Sequence, residues 1–389
     1  MEYKPNMAAI AKAAGVGKAT VSLALRNDPR LRPETRQRIQ EIARSMGYQA
    51  NAVVSHLMAQ LRASRNPKFQ ATIALLNASG TRNGLLTNFT FRDWLTGIQN
   101  RCAELGYALD EFWLFDPELG IEKLKKTLYA RCIRGVVIAG IRAHRELPQQ
   151  MNPLWQDLAS AVVGIRPERP AMHFACNDQY STAMHAAWEI GRLGYQRPAI
   201  IIDPEIEENV EFRFTAGFGA GWRTLNPDYS VPFFPFGPDQ EKIFSGWLLK
   251  NQPDVIVCTH PEVRQWLARL GLNVPSDIGL AHLDLTQELD GWSGMFQNNQ
   301  TVGAFAVDLV VGQLHRNERG IPKHTKCMMT EGEWVPGNTL RKIVPSENYP
   351  PLPRRAKASK AKTILASKQG IRANALQRGR QDISRCESS

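Results

Sequence analysis

The sequence predicts an α/β protein that carries a small all-helical module at its N-terminus. Between residues 70 and 342, short β-branched and apolar runs alternate with helical patterns, which argues for βαβ units and parallel sheets. At roughly 270 residues this stretch is large for one open sheet, so it divides into two α/β subdomains. The first 48 residues instead show short helical stripes separated by tight turns.

The N-terminal stripes come in order. Ile10, Ala11 and Ala14 make a small apolar face that ends at Gly15. In "GVGKATVSLALRN", Val21 and Leu25 lie four apart and face the module's own core. Lys18, Ser22 and Arg26 fall on the opposite side, with Ala19 and Leu23 beside them. From Pro33 to Tyr48, Ile39, Ile42, Ala43 and Met46 recur at helical spacing; Pro33 suits a first helical turn and Glu34 the positive end of the helix. Helix, glycine turn, helix is the signature of a helix-turn-helix, whose second helix can enter the DNA major groove. The alternative is a small helical protein-binding domain.

Charge separates the two. The chain carries +11 overall, distributed as +7 over residues 1–65, −4 over 66–350 and +8 over 351–389. Basic ends on a slightly acidic body point to a polyanion held at the ends.

"IAKAAGVGKATVSLALRN" followed by "LRPETRQRIQEIARSMGYQAN" resembles the DNA-binding domain of the Lac repressor/galactose repressor family, with little need for gaps. The resemblance implies that Lys18, Ala19, Ser22 and Leu23 approach base edges, with Arg26 on the same face. It places Asn6, Thr20, Arg30, Thr35 and Tyr48 near phosphates. Leu23 stands where the family usually has an arginine, and leucine can touch only a thymine methyl or a similar apolar edge. Gly17 and Arg32 each replace a serine helix cap; Arg32 brings a charge that can meet a phosphate instead.

The next segment, "NAVVSHLMAQLR", opens on Asn51, a good helix cap, and clusters Val53, Val54, Leu57 and Met58 on one side. A helix this short is marginal alone, because isolated helices under ~12–15 residues rarely hold in water. The resemblance supplies two partners: the same segment of a second subunit, and the DNA minor groove, into which Leu57 would wedge beside Asn51 and Val54. A linker helix packed on its own core is the alternative.

Strand-like runs follow as "ATIALLNA", "RGVVIAGI", "AVVGI", "RPAIIID", "DVIVCT" and "DIGLAHLD", with helical patterns at Arg92–Leu105, Thr182–Leu193 and Val302–His315. "RGVVIAG", "RLGYQRPAII", "AGFGAG" and "LNVPSDIGLAHLD" resemble the same family's periplasmic-binding-protein-like core, which implies an effector in the cleft between two subdomains. Carried over, the candidate effector residues are Phe89 and Phe91 after the first strand, Arg213, His260 and Asp284. Three departures stand out: His282 and Leu285 flank Asp284 where the family has a glycine and an acidic residue, and Arg213 is displaced by one residue, about 100° of helical rotation. His260, His282 and the aromatics read equally well as core or surface residues.

The glycines of "GFGAG" sit inside a helical pattern, so they lack the strand-turn-helix context of a nucleotide loop. No phosphate-loop, zinc-protease or nucleophile-elbow motif occurs, and no enzymatic activity, metal or cofactor is expected. The six cysteines, Cys102, Cys132, Cys176, Cys258, Cys327 and Cys386, form no C-x-x-C pair and read as reduced thiols of a cytoplasmic protein. The N-terminus lacks a secretory pattern, and no apolar run is long enough to span a membrane. From Ser346 onward, proline gives way to Lys, Arg, Ala and Ser. That composition predicts a disordered tail, either merely solvated or touching DNA without regard to sequence.

The expected organisation is thus a helix-turn-helix domain at 1–50, a hinge helix and linker at 51–66, an effector-sensing and dimerisation core at 67–343, and a basic tail at 344–389. The expected partners are an operator in double-stranded DNA, a second copy of the chain, and a small-molecule effector such as a sugar or related metabolite. The alternatives are a core that senses a protein partner, or a small-molecule binder with a vestigial DNA module.

Overall fold

The computed structural model describes residues 7–25, 28–46, 71–141 and 145–343. Three helices open the chain: α1 (Met7–Ala14), α2 (Lys18–Leu25) and α3 (Pro33–Ser45). Gly15 ends α1 at φ +67°, left-handed backbone that glycine adopts without a Cβ clash. The Gly17 carbonyl then accepts from the Val21 N–H at 3.1 Å and closes the first turn of α2.

Ile10, Ala11, Ala14, Val21, Ala24, Ile39 and Ala43 form one buried cluster. The expected partner of Val21 shifts here. Ala24 is fully buried, whereas Leu25, the last residue of α2, packs only partly against the cluster. The crossing of α2 over its neighbours is tight enough that the small side chain takes the centre. Long side chains of α3 satisfy the carbonyls at the ends of the other two helices. Arg38 Nη2 donates to the Ala14 oxygen at 3.1 Å and Gln40 Nε2 to the Ala24 oxygen at 2.8 Å. α3 closes at Ser45 with Met46 as its cap, before the Tyr48 boundary that the periodicity suggests.

The core begins with β1 (Ala71–Asn77), α4 (Gly84–Thr87), α5 (Phe89–Glu104), β2 (Tyr107–Trp113), α6 (Ile121–Ala130) and β3 (Gly135–Ala139). It continues through α7 (Asn152–Trp155), β4 (Ala159–Val163), β5 (His173–Asn177), α8 (Gln179–Arg192), β6 (Pro198–Ile202), α9 (Pro204–Asn209) and α10 (Arg213–Arg223). It ends with β7 (Phe233–Pro235), α11 (Glu241–Asn251), β8 (Val255–Cys258), α12 (Val263–Arg269), β9 (Gly279–His282), β10 (Ser293–Phe296), α13 (Asn299–Arg316), β11 (Cys327–Thr330) and β12 (Glu333–Val335).

Two six-stranded sheets result, one in the order β11-β5-β4-β3-β1-β2 and one in the order β12-β10-β9-β8-β6-β7. Every pairing is parallel except that of β12 with β10. Apolar clusters cover both faces of each sheet, which is why central strands such as "GVVIA" are apolar throughout rather than alternating.

The chain passes between the subdomains three times: from β5 to α8, from β10 to α13, and from β11 to β12. The buried Asn177 ties these crossings together. Its Nδ2 donates to the carbonyls of Gln297 (3.2 Å) and Thr330 (3.0 Å), and its Oδ1 accepts from Thr182 Oγ1 at 2.8 Å. Helices close in through glycine. A Cβ at Gly97 of α5 would overlap the Gln300 carbonyl on α13, and one at Gly217 of α10 would overlap the Tyr180 carbonyl on α8.

Candidate functional site

The first candidate surface is the outward side of α2. Burying Val21 and Ala24 turns Lys18 and Ala19 out to solvent, with Thr20, Ser22 and Leu23 half-exposed at the margins. Around it, the described residues 7–46 carry seven basic side chains against three acidic ones. Arg30 is engaged within the chain: its N–H, Nε and Nη2 reach the Asp28 carboxylate at 3.0, 2.9 and 2.8 Å. That hydrogen bond and charge raise the guanidinium above its ordinary value. A phosphate at Arg30 would therefore compete with Asp28. Arg32 is exposed and caps α3 with its backbone carbonyl alone, while Thr35 sits half-buried in the first turn. Asn6, Arg26, Tyr48, Asn51, Val54 and Leu57 lie outside the described residues, as do the hinge and the tail.

The second candidate is the cleft at the carboxyl ends of the strands of both sheets, where parallel sheets offer ligands a crevice. Asp284, just after β9, points across it. One carboxylate oxygen accepts from Thr90 Oγ1 on α5 at 2.6 Å and the other from Asn299 Nδ2 on α13 at 2.8 Å. Asn299 in turn accepts from Trp94 Nε1 at 3.0 Å, and Trp94 stacks on Phe91 with ring centroids 4.9 Å apart. Burial pushes Asp284 up to about 6, against the two hydrogen bonds that favour its charge.

Its neighbour His282 is buried and neutral. Burial, and the charge of His260, hold it down to about 4, while its Nδ1 accepts from the Asp284 N–H at 3.1 Å. His282 Nε2 has no protein partner among the described residues. His260 stacks on Phe236 at 3.9 Å and meets Thr259 Oγ1 through Nδ1 at 3.1 Å. Phe89 is exposed, with the Arg92 guanidinium 5.0 Å over its ring, and Arg92 pairs across the cleft with Glu288. Arg213 opens α10 and lies 3.6 Å from Glu211.

The sequence marked Asp284 and Arg213 as candidates but not Thr90, Asn299, Arg145 or Arg166. None of these belongs to a local motif: Thr90 and Asn299 meet Asp284 from α5 and α13, far apart in sequence, and Arg145 and Arg166 meet Glu211 from the loops after β3 and β4. The cleft offers carboxylate and imidazole acceptors beside aromatic faces, chemistry suited to hydroxylated ligands. A surface hollow of about 290 Å³ between α6 and α7 contains none of the predicted site residues. Among the described residues, no group of three or more His, Cys, Asp or Glu side chains is placed to hold a metal ion, and no single helix is long and apolar enough to cross a membrane.

Residues 6–51 match the model of the lacI family of bacterial regulatory proteins. The sucrose operon repressor of Shigella flexneri is 23% identical over 290 residues, 71% of this chain and 82% of the repressor. Among solved structures, the transcriptional regulator CelR in complex with cellobiose aligns with a TM-score of 0.55 at 16% identity, over 86% of this chain and all of that one. The lac repressor dimer bound to operator and the anti-inducer ONPF aligns with a TM-score of 0.51 at 16% identity, over 87% of this chain and all of that one.

Proposed function

Because the chain belongs to the lacI family of bacterial regulatory proteins, we propose that this DNA-binding transcriptional repressor acts as a homodimer on a pseudo-palindromic operator, under control of an effector in the subdomain cleft. One observation carries the reading: in a basic three-helix module, α2 buries Val21 and Ala24 and turns Lys18, Ala19, Ser22 and Leu23 outward. Two such helices related by a two-fold axis read matched half-sites, one per subunit.

The hinge segment, residues 51–66, couples the two ends of the molecule. These residues lie outside the described ones, and the reading is that a second hinge and a kinked minor groove are their partners in the complex. An effector that changes the separation of the two cores then acts on DNA affinity through this segment; a coupling of about 1–3 kcal/mol alters affinity 5–150-fold. The similar proteins include a sucrose operon repressor and the regulator CelR in complex with cellobiose, which supports a sugar or a chemically related metabolite as the effector; a DNA-binding regulator of this kind would act in the cytoplasm.

Selection of bound duplexes from random genomic fragments tests the DNA reading. The expected outcome is enrichment of an inverted repeat, lost on Lys18→Ala; a pool with no enriched sequence overturns it. A metabolite panel read by thermal shift tests the effector, since a ligand at 100 times its dissociation constant stabilises its target by about 2.7 kcal/mol.

A further inference from the structure

A second polar cluster spans the cleft on residues other than those around Asp284. Arg145 from the loop after β3, Arg166 from the loop after β4 and Arg213 at the start of α10 converge on one carboxylate, Glu211. Arg145 Nη1 donates to Glu211 Oε1 at 2.7 Å, and Arg145 also touches Glu168 at 3.3 Å. Arg166 and Arg213 each lie 3.6 Å from Glu211, and neither guanidinium makes a hydrogen bond among the described residues. Burial opposes charge on Glu211, yet the hydrogen bond from Arg145 and the charges of all three arginines hold its carboxyl below the usual range. The positive field reaches further. The Cys327 thiol is drawn down by its hydrogen bond with Cys176, then by Arg213 and Arg166.

The backbone that delivers this carboxylate is strained. Glu211 and Phe212 both sit at φ 58°, and Arg145 sits at φ 56°, left-handed conformations that are rare outside glycine and persist where the surroundings enforce them. Phe212 gains no burial in return; it is exposed. The crevice bordered by Arg166, Cys176, Gln179, Glu211 and Arg213 keeps only about 10 Å³ of free volume, at most one water. Glu211 therefore plugs a pocket whose guanidinium forks match a carboxylate or a phosphate.

We propose that the crevice of Arg145, Arg166 and Arg213 recognises the cleft effector, and that this effector is a small oxyanion-bearing metabolite, a sugar acid or sugar phosphate, which displaces Glu211. This rests on the reading of the cleft as an effector site. Glu211 belongs to the second subdomain, whereas Arg145 and Arg166 belong to the first. Displacing it replaces ion pairs made between the subdomains with ion pairs made to the ligand, so occupancy and cleft geometry are coupled.

The test is calorimetric titration of the full-length protein with inorganic phosphate, D-gluconate, D-glucose 6-phosphate and D-glucose, at ionic strength matched with sodium chloride. In Glu211→Gln, which removes the competing charge, inorganic phosphate should bind about tenfold tighter than in the parent; in Arg166→Ala/Arg213→Ala it should bind about tenfold weaker. If gluconate binds better than glucose 6-phosphate, the natural anion is a carboxylate; the reverse order indicates a phosphate; both support the crevice. Should the alanine variant fail to fold, Arg166→Lys/Arg213→Lys keeps the charge without the fork and is expected to bind both anions more weakly than the parent. Equal phosphate affinity in the parent and the variants overturns the crevice. Tight D-glucose binding in all of them, with none for the anions, overturns the anion class and leaves the effector reading standing. No binding of any probe, to Glu211→Gln included, overturns the crevice and counts against an effector in the cleft as well.

Discussion

Asp284 and His282 are near neighbours at the strand end and titrate in opposite senses. The folded-state value of Asp284, about 6, lies above its ordinary 3.8, so its stabilising contribution is complete below pH 4 and is lost as pH rises through 6. The value of His282, about 4, lies below its ordinary 6.5, so its contribution is complete above pH 6.5 and is lost as pH falls toward 4. In Asp284→Asn the loss of stability between pH 4 and 6 should disappear, a difference on the order of 2 kcal/mol, while the acid-side loss owed to His282 remains. Urea unfolding of parent and variant across pH 4–7 reads both slopes; parallel profiles would show that Asp284 keeps an ordinary carboxylate value in the fold.

Among the residues proposed to face DNA, Leu23 stands where an arginine is expected. Leu23→Arg replaces an apolar side chain with a fork that can pair with guanine O6 and N7, an interaction worth about 1–3 kcal/mol. Sequences selected by the variant should gain a guanine at one position of each half-site, and an unchanged consensus would remove Leu23 from the base-reading surface. Lys18 and Asp284 were legible in the sequence as candidates, because a local motif carries each. Thr90, Asn299 and Arg145 were not, because their roles arise where segments up to about two hundred positions apart meet in the fold.

Elements that read clearly in the sequence are those buried on both faces. The runs behind β3, β6 and β8 are apolar throughout, those behind β1, β4 and β9 are interrupted only by Thr72, Asn77, Ser160 and His282, and the helical stripes behind α5, α8 and α13 are long enough to show their period. β2, at one sheet edge, carries Asp110 and Glu111 and is largely unburied, while β7, β10, β11 and β12 are only three or four residues long. Such segments owe their strand form to a neighbour's open edge more than to their own composition.

The glycines of "GFGAG" show the same dependence. They resemble a nucleotide loop in one dimension, yet in the fold they let α10 press on α8, with Gly217 against the Tyr180 carbonyl and Gly221 against Met184. Gly217→Ala forces this helix pair apart and should cost about 1–3 kcal/mol. Gly219→Ala meets nothing within 4 Å and should be neutral or stabilising by up to ~1 kcal/mol, because alanine is the better helix former. Denaturant midpoints compare the two; equal shifts would mean that the close approach of α8 and α10 is not what requires glycine.

At the scale of the whole molecule, charge is unevenly distributed along the chain. The described core is where recognition of a small ligand is proposed, and the positive charge is kept for the two ends: +7 over residues 1–65 and +8 over 351–389. These excesses do different physical work. In the N-terminal module, basic residues share one three-helix frame with Leu23 and Ser22, so under the proposed DNA reading phosphate contacts there would also set register against the bases. The sequence of the tail, which lies outside the described residues, carries ten basic residues between Arg354 and Arg385, and the proposal for it is phosphate contact without regard to sequence. Deleting residues 351–389 should then weaken binding to operator and to unrelated duplex by the same factor, and should shallow the dependence of log affinity on log salt by about 0.9 for each phosphate that the tail had neutralised. Titrations of both duplexes at several salt concentrations measure the two quantities together. An unchanged salt slope would mean that the tail does not touch DNA, and a selective weakening on the operator would mean that the tail takes part in reading sequence.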